Sequence, residues 1–162
     1  MHQEIVCGID GATIKTGISW FVNGEYAGHK LINEDKIEDK DNRFSSMCRD
    51  ICTTLEEVKP TVVCIERMHT LRNADAFRKL CKIMGCVQWY CIANNIKYVE
   101  LSPAEWRKYA KNNNTDKIGR KREELKKWSC DRVKELFGIK TSDDIADAIL
   151  IAYGYIQKQK GK

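Results

Sequence analysis

An Asn-Gly pair at residues 23–24 constrains the fold of this chain more than any other sequence feature. Asn-Gly between two apolar segments is the strongest short-range signal of a β-hairpin, because both residue types readily adopt positive φ. It predicts a strand over residues 17–22 that returns antiparallel over residues 25–32. A buried strand over residues 4–10 precedes the hairpin, so three antiparallel strands begin the chain.

Beyond the hairpin, helix-like and strand-like patterns alternate. Apolar spacing, a Ser-Pro pair at residues 102–103 and a stop at Gly138 define these elements. They are helices over residues 44–58, 74–94, 120–137 and 142–158, a short helix from residue 102, and strands over residues 61–66 and 96–101. This order implies an α/β fold with a five-stranded mixed sheet, three antiparallel strands then parallel ones, and helices on both faces. We expect one domain over residues 1–158 and a frayed Lys-rich tail over 159–162.

Composition is that of an ordinary globular domain. The 162 residues are 43% hydrophobic and 31% charged, with no apolar run long enough to span a membrane and no signal-peptide pattern at the N-terminus. The net charge of +5 is compatible with a polyanionic partner. The eight cysteines include no Cys-x-x-Cys pair, so we expect reduced thiols and a cytoplasmic protein rather than disulfides or a zinc site.

Two aspartates three residues apart, Asp144 and Asp147, lie in the last predicted helix, which begins at the capping residue type Ser142. Their spacing places both carboxylates on one helix face. Asp147 is surrounded in sequence by Ala, Ile and Leu, where a carboxylate is costly unless a cation neutralises it. The cation is either a divalent metal or a buried Lys or Arg. Asp143 and Asp144 also suit the positive end of the helix dipole.

Two more acids, Asp10 and Glu66, each end a hydrophobic strand. Ligands in open α/β sheets gather at the carboxyl ends of central strands, so the last helix could bring its aspartates to the same edge. Carboxylates in such a cluster repel one another and do not all ionise without cations between them. Two Mg²⁺ ions, with Mn²⁺ as a substitute, fit this charge, and such pairs hydrolyse phosphodiesters.

These acidic motifs resemble those of RuvC-type Holliday junction resolvases, within the retroviral-integrase/ribonuclease-H superfamily, and the likeness covers most of the chain. The matching segments are Gly8-Ile9-Asp10 with Thr16-Gly17, Cys64-Ile65-Glu66 with Arg72-Asn73-Ala74-Asp75, and Asp144-Ile145-Ala146-Asp147-Ala148. The sequence departs from the family at Gly11, where many relatives carry Pro, and at His69, where members often carry an aromatic residue that unstacks junction bases.

The resemblance implies a Mg²⁺-dependent crossover junction endodeoxyribonuclease with a ribonuclease-H-like fold. It implies that Asp10, Glu66, Asp144 and Asp147 bind two metal ions per site. It further implies a homodimer, joined partly by the helix over residues 74–94, that nicks opposite strands of a four-way DNA junction symmetrically. The products would carry 5′-phosphate and 3′-hydroxyl ends. The expected setting is the cytoplasm of a bacterial cell or a phage-infected host.

The most basic part of the chain, residues 108–127, suits a polyanion, because Lys and Arg gain affinity for phosphates by counterion release. Cations near the start of a helix are unfavourable unless an anion meets them, although a solvated charged face remains the alternative. We assign Lys121 to the scissile phosphate as a catalytic lysine. The predicted DNA-binding residues are His69, Arg72, Asn73, Lys111, Lys117, Arg120, Lys121 and Arg122.

Three other interpretations stay open at this stage. The first is another ribonuclease-H-like nuclease acting on branched DNA or RNA–DNA hybrids. The second is a non-catalytic protein that binds branched DNA, although such a protein would gain nothing from clustered acids beside phosphate. The third is a nucleotide-binding protein of the sugar-kinase/actin type, because Asp-Gly followed by Thr-Gly also occurs in phosphate loops; that fold needs two such domains, more than 162 residues supply.

Overall fold

The computed structural model describes residues 3–69, 73–112 and 117–161, and these form one five-stranded sheet and five helices. The strands and helices are β1 (Ile5–Asp10), β2 (Lys15–Val22), β3 (Glu25–Asn33), α1 (Lys40–Val58), β4 (Val62–Glu66), α2 (Ala74–Ala93), β5 (Lys97–Leu101), α3 (Pro103–Ala110), α4 (Arg122–Phe137) and α5 (Asp143–Gln159). The sheet order is β3-β2-β1-β4-β5, with β1, β2 and β3 antiparallel and β4 and β5 parallel to β1. The predicted mixed sheet is confirmed.

The hairpin between β2 and β3 has the predicted turn. Asn23 and Gly24 have φ values of 50° and 84°, the left-handed region that an Asn-Gly turn requires. Val22 pairs with Glu25 across the turn. The hairpin therefore pairs β3 with β2, and because β2 also pairs with β1, β3 lies at the edge of the sheet.

The two faces of the sheet carry separate hydrophobic cores. Side chains of β1 alternate between them: Val6 packs with α3, α4 and α5, and Cys7 with α1 and α2. α5 lies so close to the sheet that only glycine fits beneath it. A Cβ atom at Gly17 would lie 2.1 Å from the carbonyl oxygen of Asp144, and Gly17 is the register partner of Asp10. This close approach brings the start of α5 to the end of β1.

The boundaries of most helices differ by a few residues from the sequence-based predictions. α1 begins at Lys40, a turn before the predicted residue 44, because the side chain of Asp39 accepts a hydrogen bond from the backbone N–H of Asn42. Ser142 precedes α5 as predicted, but its side chain makes no capping hydrogen bond. α4 begins at Arg122 rather than at residue 120, and α5 continues to Gln159. Within the described residues, no helix is long and apolar enough to cross a membrane.

Candidate active site

The four predicted acids act on one another at the carboxyl edge of the sheet. Asp10 and Glu66 end the neighbouring strands β1 and β4, and α5 presents Asp144 and Asp147 there. The pKa of Asp10 is raised well above its ordinary value, first because burial disfavours the charged form and then because Asp147, Glu66 and Asp144 are negative. The fold therefore brings together the acids that the sequence pattern selected.

Asp147 is held by a hydroxyl group. The buried Ser129 of α4 donates a hydrogen bond of 2.5 Å from Oγ to Oδ1 of Asp147. Burial raises the pKa of Asp147 to about 6, and the Ser129 bond and the charge of Arg107 limit this rise. Among the described residues, no Lys or Arg forms a salt bridge with Asp147. A buried ion pair between Asp147 and a Lys or Arg, the alternative to a metal ion, is therefore not found among the described residues.

Glu66 is held by a tryptophan. The fully buried Trp106 of α3 donates a hydrogen bond of 2.7 Å from Nε1 to Oε2 of Glu66. The guanidinium of Arg107 lies 4.6 Å from the centre of the Trp106 ring, within cation–π distance. The Nε atom of Arg107 is buried and has no hydrogen-bond partner among the described residues. α3 therefore supplies both an orienting donor and a positive charge beside the acids.

Asp143 and Asp144 differ although they are adjacent. Asp143 forms an ion pair of 2.6 Å with Lys126, and this hydrogen bond lowers the pKa of Asp143. The pKa of Asp144 is raised, first by burial and then by the charge of Asp143, while Lys126, Lys15 and Arg122 oppose the rise. Asp143 is therefore paired with a lysine of α4. In Asp144, by contrast, burial and the negative charge of Asp143 disfavour the ionised form.

A cavity of about 160 Å³ opens beside Asp10 and Glu66. Met68, Leu80 and Met84 form its apolar wall, and His69 is exposed at its edge. Gly11 completes the wall, and a Cβ atom at this position would lie 2.4 Å from Cε of Met84. The glycine that departs from the family pattern therefore makes room for this methionine.

Comparison with known proteins identifies the family. The model of the family described as crossover junction endodeoxyribonuclease RuvC matches residues 6–155. The chain belongs to the RuvC family.

Relatives of this chain agree with the family assignment. RuvC of Caldicellulosiruptor saccharolyticus is 26% identical over 159 residues, which cover 93% of this chain and 91% of the relative. The structure titled "T. thermophilus RuvC in complex with Holliday junction substrate" has a TM-score of 0.76 at 16% identity and covers 97% of this chain and 96% of the other. The Fowlpox virus resolvase, solved with Holliday junction DNA, has a TM-score of 0.64 at 19% identity and covers 98% and 99%. Both structures share the fold.

Membership of the RuvC family implies dependence on a divalent metal ion. As the side chains stand, no three His, Cys, Asp or Glu residues among the described ones converge closely enough to hold such an ion. The chemistry of the donor set nevertheless fits, since a cluster of carboxylate oxygens is what hard divalent cations prefer. Burial is the larger cause of the raised pKa of Asp10 and repulsion from the other acids the next, and a bound cation would relieve that repulsion.

The predicted DNA-binding residues of this RuvC chain are spread over several elements. Lys121 is exposed at the N-cap of α4. Lys126, Lys15 and Arg122 oppose the rise in the pKa of Asp144, and Arg107 opposes that of Asp147. Arg120 and Lys117 are exposed and Lys111 caps the C-terminus of α3. Asn73 caps α2 by accepting from the backbone of residues 75 and 76, and Arg72 lies outside the described residues.

Sequence reasoning missed four residues of the site: Trp106, Arg107, Lys126 and Ser129. For two of them a signal existed, because Arg122, Lys126 and Ser129 follow an i, i+4, i+7 spacing and so share one face of α4. That face is directed at α5. Trp106 and Arg107 had no comparable signal, since their relation to the acids depends on where α3 packs.

Proposed function

We propose that this chain resolves four-way DNA junctions by metal-dependent hydrolysis of phosphodiester bonds. The observation that carries the proposal is the acidic cluster formed where β1 and β4 end and α5 begins, in which burial, and after it the charges of Asp147, Glu66 and Asp144, raise the pKa of Asp10. Within a family of crossover junction endodeoxyribonucleases, such a cluster fits a nuclease better than a non-catalytic binder, because unneutralised acids repel phosphate.

Asp10, Glu66, Asp144 and Asp147 would together hold two Mg²⁺ ions, with Mn²⁺ as a substitute. Metal ions bound there would lower the pKa of an attacking water and stabilise charge on the phosphate oxygens. In-line attack would leave a 5′-phosphate and a 3′-hydroxyl.

The protein's own groups orient the acids. Trp106 fixes one oxygen of Glu66 and Ser129 fixes one oxygen of Asp147, and each carboxylate keeps its second oxygen without a described partner. Arg107 lies close enough to Asp147 to lower its pKa and offers a positive charge to the substrate. These contacts hold the carboxylates in place before substrate arrives.

A homodimer would place two such sites on opposite strands of the junction. Trp89 and Ile92 are 68% and 67% exposed on α2, and they lie three residues apart on one face of the helix. Exposed large apolar side chains of this kind mark an interaction surface. Association through α2 would therefore give paired, symmetric nicks.

The DNA itself would run across the edge of the sheet that carries the acids. His69, exposed beside the acid cavity, would stack on a base, and the basic residues Lys111, Lys117, Arg120, Lys121 and Arg122 would contact phosphates. Lys121 at the scissile phosphate remains a prediction; Lys126, already paired with Asp143 beside the acids, is a competing lysine for that position.

A panel of labelled substrates tests the proposal. A four-way junction, a flap, an RNA–DNA hybrid and a linear duplex are incubated with the protein and Mg²⁺, and the products are separated on denaturing gels. Cleavage of the junction well above that of the other substrates is expected. Preferred cleavage of the flap or the hybrid would instead identify another ribonuclease-H-like nuclease, and tight junction binding without cleavage in Mg²⁺ or Mn²⁺ would identify a non-catalytic binder.

A further inference from the structure

A second cavity, of about 200 Å³, lies between the first turns of α1 and α2. Its polar lining consists of Thr13, Lys40, Arg43, Asn73, Asp75 and Lys79. It shares no lining residue with the acid cavity, yet the two are neighbours along the chain, since Gly11 lines one and Thr13 the other. The turn between β1 and β2 separates them.

Positive charge predominates in this second cavity. Lys40, Arg43 and Lys79 face a single carboxylate, Asp75, which accepts an ion pair of 2.8 Å from Lys79. The charge of Lys40 also helps to lower the pKa of Asp75, after the larger effect of Lys79. One cation is therefore neutralised, and the other two have no acidic partner within salt-bridge distance among the described residues.

The hydrogen-bond donors of this cavity that lack a partner in the described part of the chain are available to an anion. Nε and Nη2 of Arg43 both donate hydrogen bonds to the carbonyl oxygen of Ile37, the first at 2.8 Å. These bonds fix the guanidinium and leave Nη1 available to an anion. Neither Nζ of Lys40 nor the hydroxyl of Thr13 has a hydrogen-bond partner among the described residues. Lys40 is the exposed first residue of α1, and Arg43 lies one turn further along the same helix.

We propose that this cavity binds a backbone phosphate of the DNA substrate, distinct from the phosphate that is cut. The inference rests on the proposed junction-cleaving function. A phosphate oxygen suits two unpaired cations and a free hydroxyl, whereas a base would need an open aromatic or apolar platform. Only Ala12 lies between Gly11, which lines the acid cavity, and Thr13, which lines this one. The bound phosphate should therefore lie a few nucleotides from the scissile one.

Lys40→Gln tests this proposal in junction binding, measured by fluorescence anisotropy in EDTA over a range of salt concentrations. Loss of one phosphate contact should reduce the slope of log Kd against log salt by about one and weaken binding about fivefold at 0.15 M salt. Lys40→Arg should bind like the wild type. The matched control is Lys134→Gln, which removes an exposed cation from the last turn of α4. It should leave both quantities unchanged.

The position of the contact is tested with junctions that carry single neutral methylphosphonate linkages. A neutral linkage at the bound phosphate should weaken wild-type binding and have no further effect on Lys40→Gln, whereas linkages elsewhere should weaken both proteins equally. This non-additivity separates a phosphate contact from a general loss of charge. Circular dichroism of each variant checks that the fold is retained.

Three outcomes are decisive. Non-additivity at one or two linkages near the cut supports the proposal. Wild-type affinity and slope in Lys40→Gln, or strict additivity at every linkage, overturns it while leaving junction cleavage by the wild type intact. Failure of the wild type to bind or cut the junction would overturn the proposed function and this inference together.

Discussion

The indole nitrogen of Trp106 donates a hydrogen bond of 2.7 Å to Oε2 of Glu66. This contact joins a fully buried residue of α3 to the carboxylate that ends β4, forty residues earlier in the chain. Because the ring is fully buried among the side chains of the core, it has little freedom to turn away. α3 therefore has a role in the site as well as in packing.

Trp106→Phe should slow junction cleavage at least tenfold while junction binding in EDTA stays at the wild-type level. The aromatic ring remains, but the hydrogen-bond donor that orients Glu66 is lost. Loss of such an orienting contact to a metal ligand typically reduces metal affinity or activity by about 10–100-fold. Single-turnover cleavage at several Mg²⁺ concentrations measures the effect. A higher metal requirement identifies a positioning role.

Trp20→Phe is the matched control for this change. Trp20 is partly buried on β2, and its indole makes no hydrogen bond to a described residue. Its replacement should leave the Mg²⁺ dependence of cleavage unchanged. The same loss of rate in both variants would show that Trp106 acts through general packing alone.

Asp147→Asn should be more stable than the wild type at pH 8 without metal. Burial raises the pKa of Asp147 to about 6, so the folded state disfavours the ionised form. The stability associated with this group is present below its unfolded pKa, near 4, and is lost as the pH rises through about 6. The gain from the substitution should reach at most about 3 kcal/mol at pH 8 and vanish near pH 4.

Urea unfolding of both proteins in EDTA from pH 4 to 8 measures this difference. Addition of Mg²⁺ should reduce it, because only the complete acid set binds the ion well and is stabilised by it. A constant difference across the pH range would contradict the raised pKa. A stability difference that grows towards pH 4 would mean that the pKa of Asp147 is lowered rather than raised.

Trp89→Asp should produce a folded monomer. Trp89 is 68% exposed on α2, and a buried, unpaired carboxylate at a subunit interface costs several kcal/mol, roughly enough to dissociate it. Light scattering coupled to size exclusion gives the mass. Leu31→Asp, the same kind of change at an exposed residue of β3, should leave a dimer. A monomeric wild type, or a Trp89→Asp dimer, would exclude association through this face.

Gly17→Ala should destabilise the fold by about 1–3 kcal/mol and reduce cleavage beyond the loss of folded protein. Its Cβ would lie 2.1 Å from the carbonyl oxygen of Asp144, so α5 must move away from β2 and carry its acids with it. Gly85→Ala, where a Cβ meets nothing within 4 Å, should instead stabilise α2 slightly. Their stabilities are compared in the Trp89→Asp background, so that subunit association does not enter, and their cleavage rates without that substitution. Equal stability and activity of the two variants would contradict the tight packing of α5.

The acids could be predicted from the sequence because each belongs to a local pattern. Asp10 and Glu66 each end an apolar strand, and these strands, β1 and β4, are parallel neighbours in the sheet. Parallel neighbours must end at the same edge, so their final residues meet. The spacing of three residues from Asp144 to Asp147 fixes their common helix face.

The groups that orient the acids could not be predicted in the same way. The Ser129–Asp147 bond depends on how α4 packs on α5, and no local pattern encodes that contact. The start of α1 at Lys40 was not predicted because its first turn is polar and charged and so lacks the apolar spacing of a helix, although Asp39 is a common capping residue. The choice of Lys121 rested on sequence position alone, whereas in the structure Lys126 pairs with Asp143 beside the site.

The most direct test of the account is cleavage of a synthetic four-way junction labelled on each strand in turn, in Mg²⁺, by the wild type and by Asp147→Asn. The wild type should produce paired nicks at symmetric positions on two opposite strands, and Asp147→Asn should bind the junction as tightly without cutting it. Equal cleavage by Asp147→Asn would remove Asp147 from the metal site. Cuts at unrelated positions on single strands would contradict a dimeric resolvase.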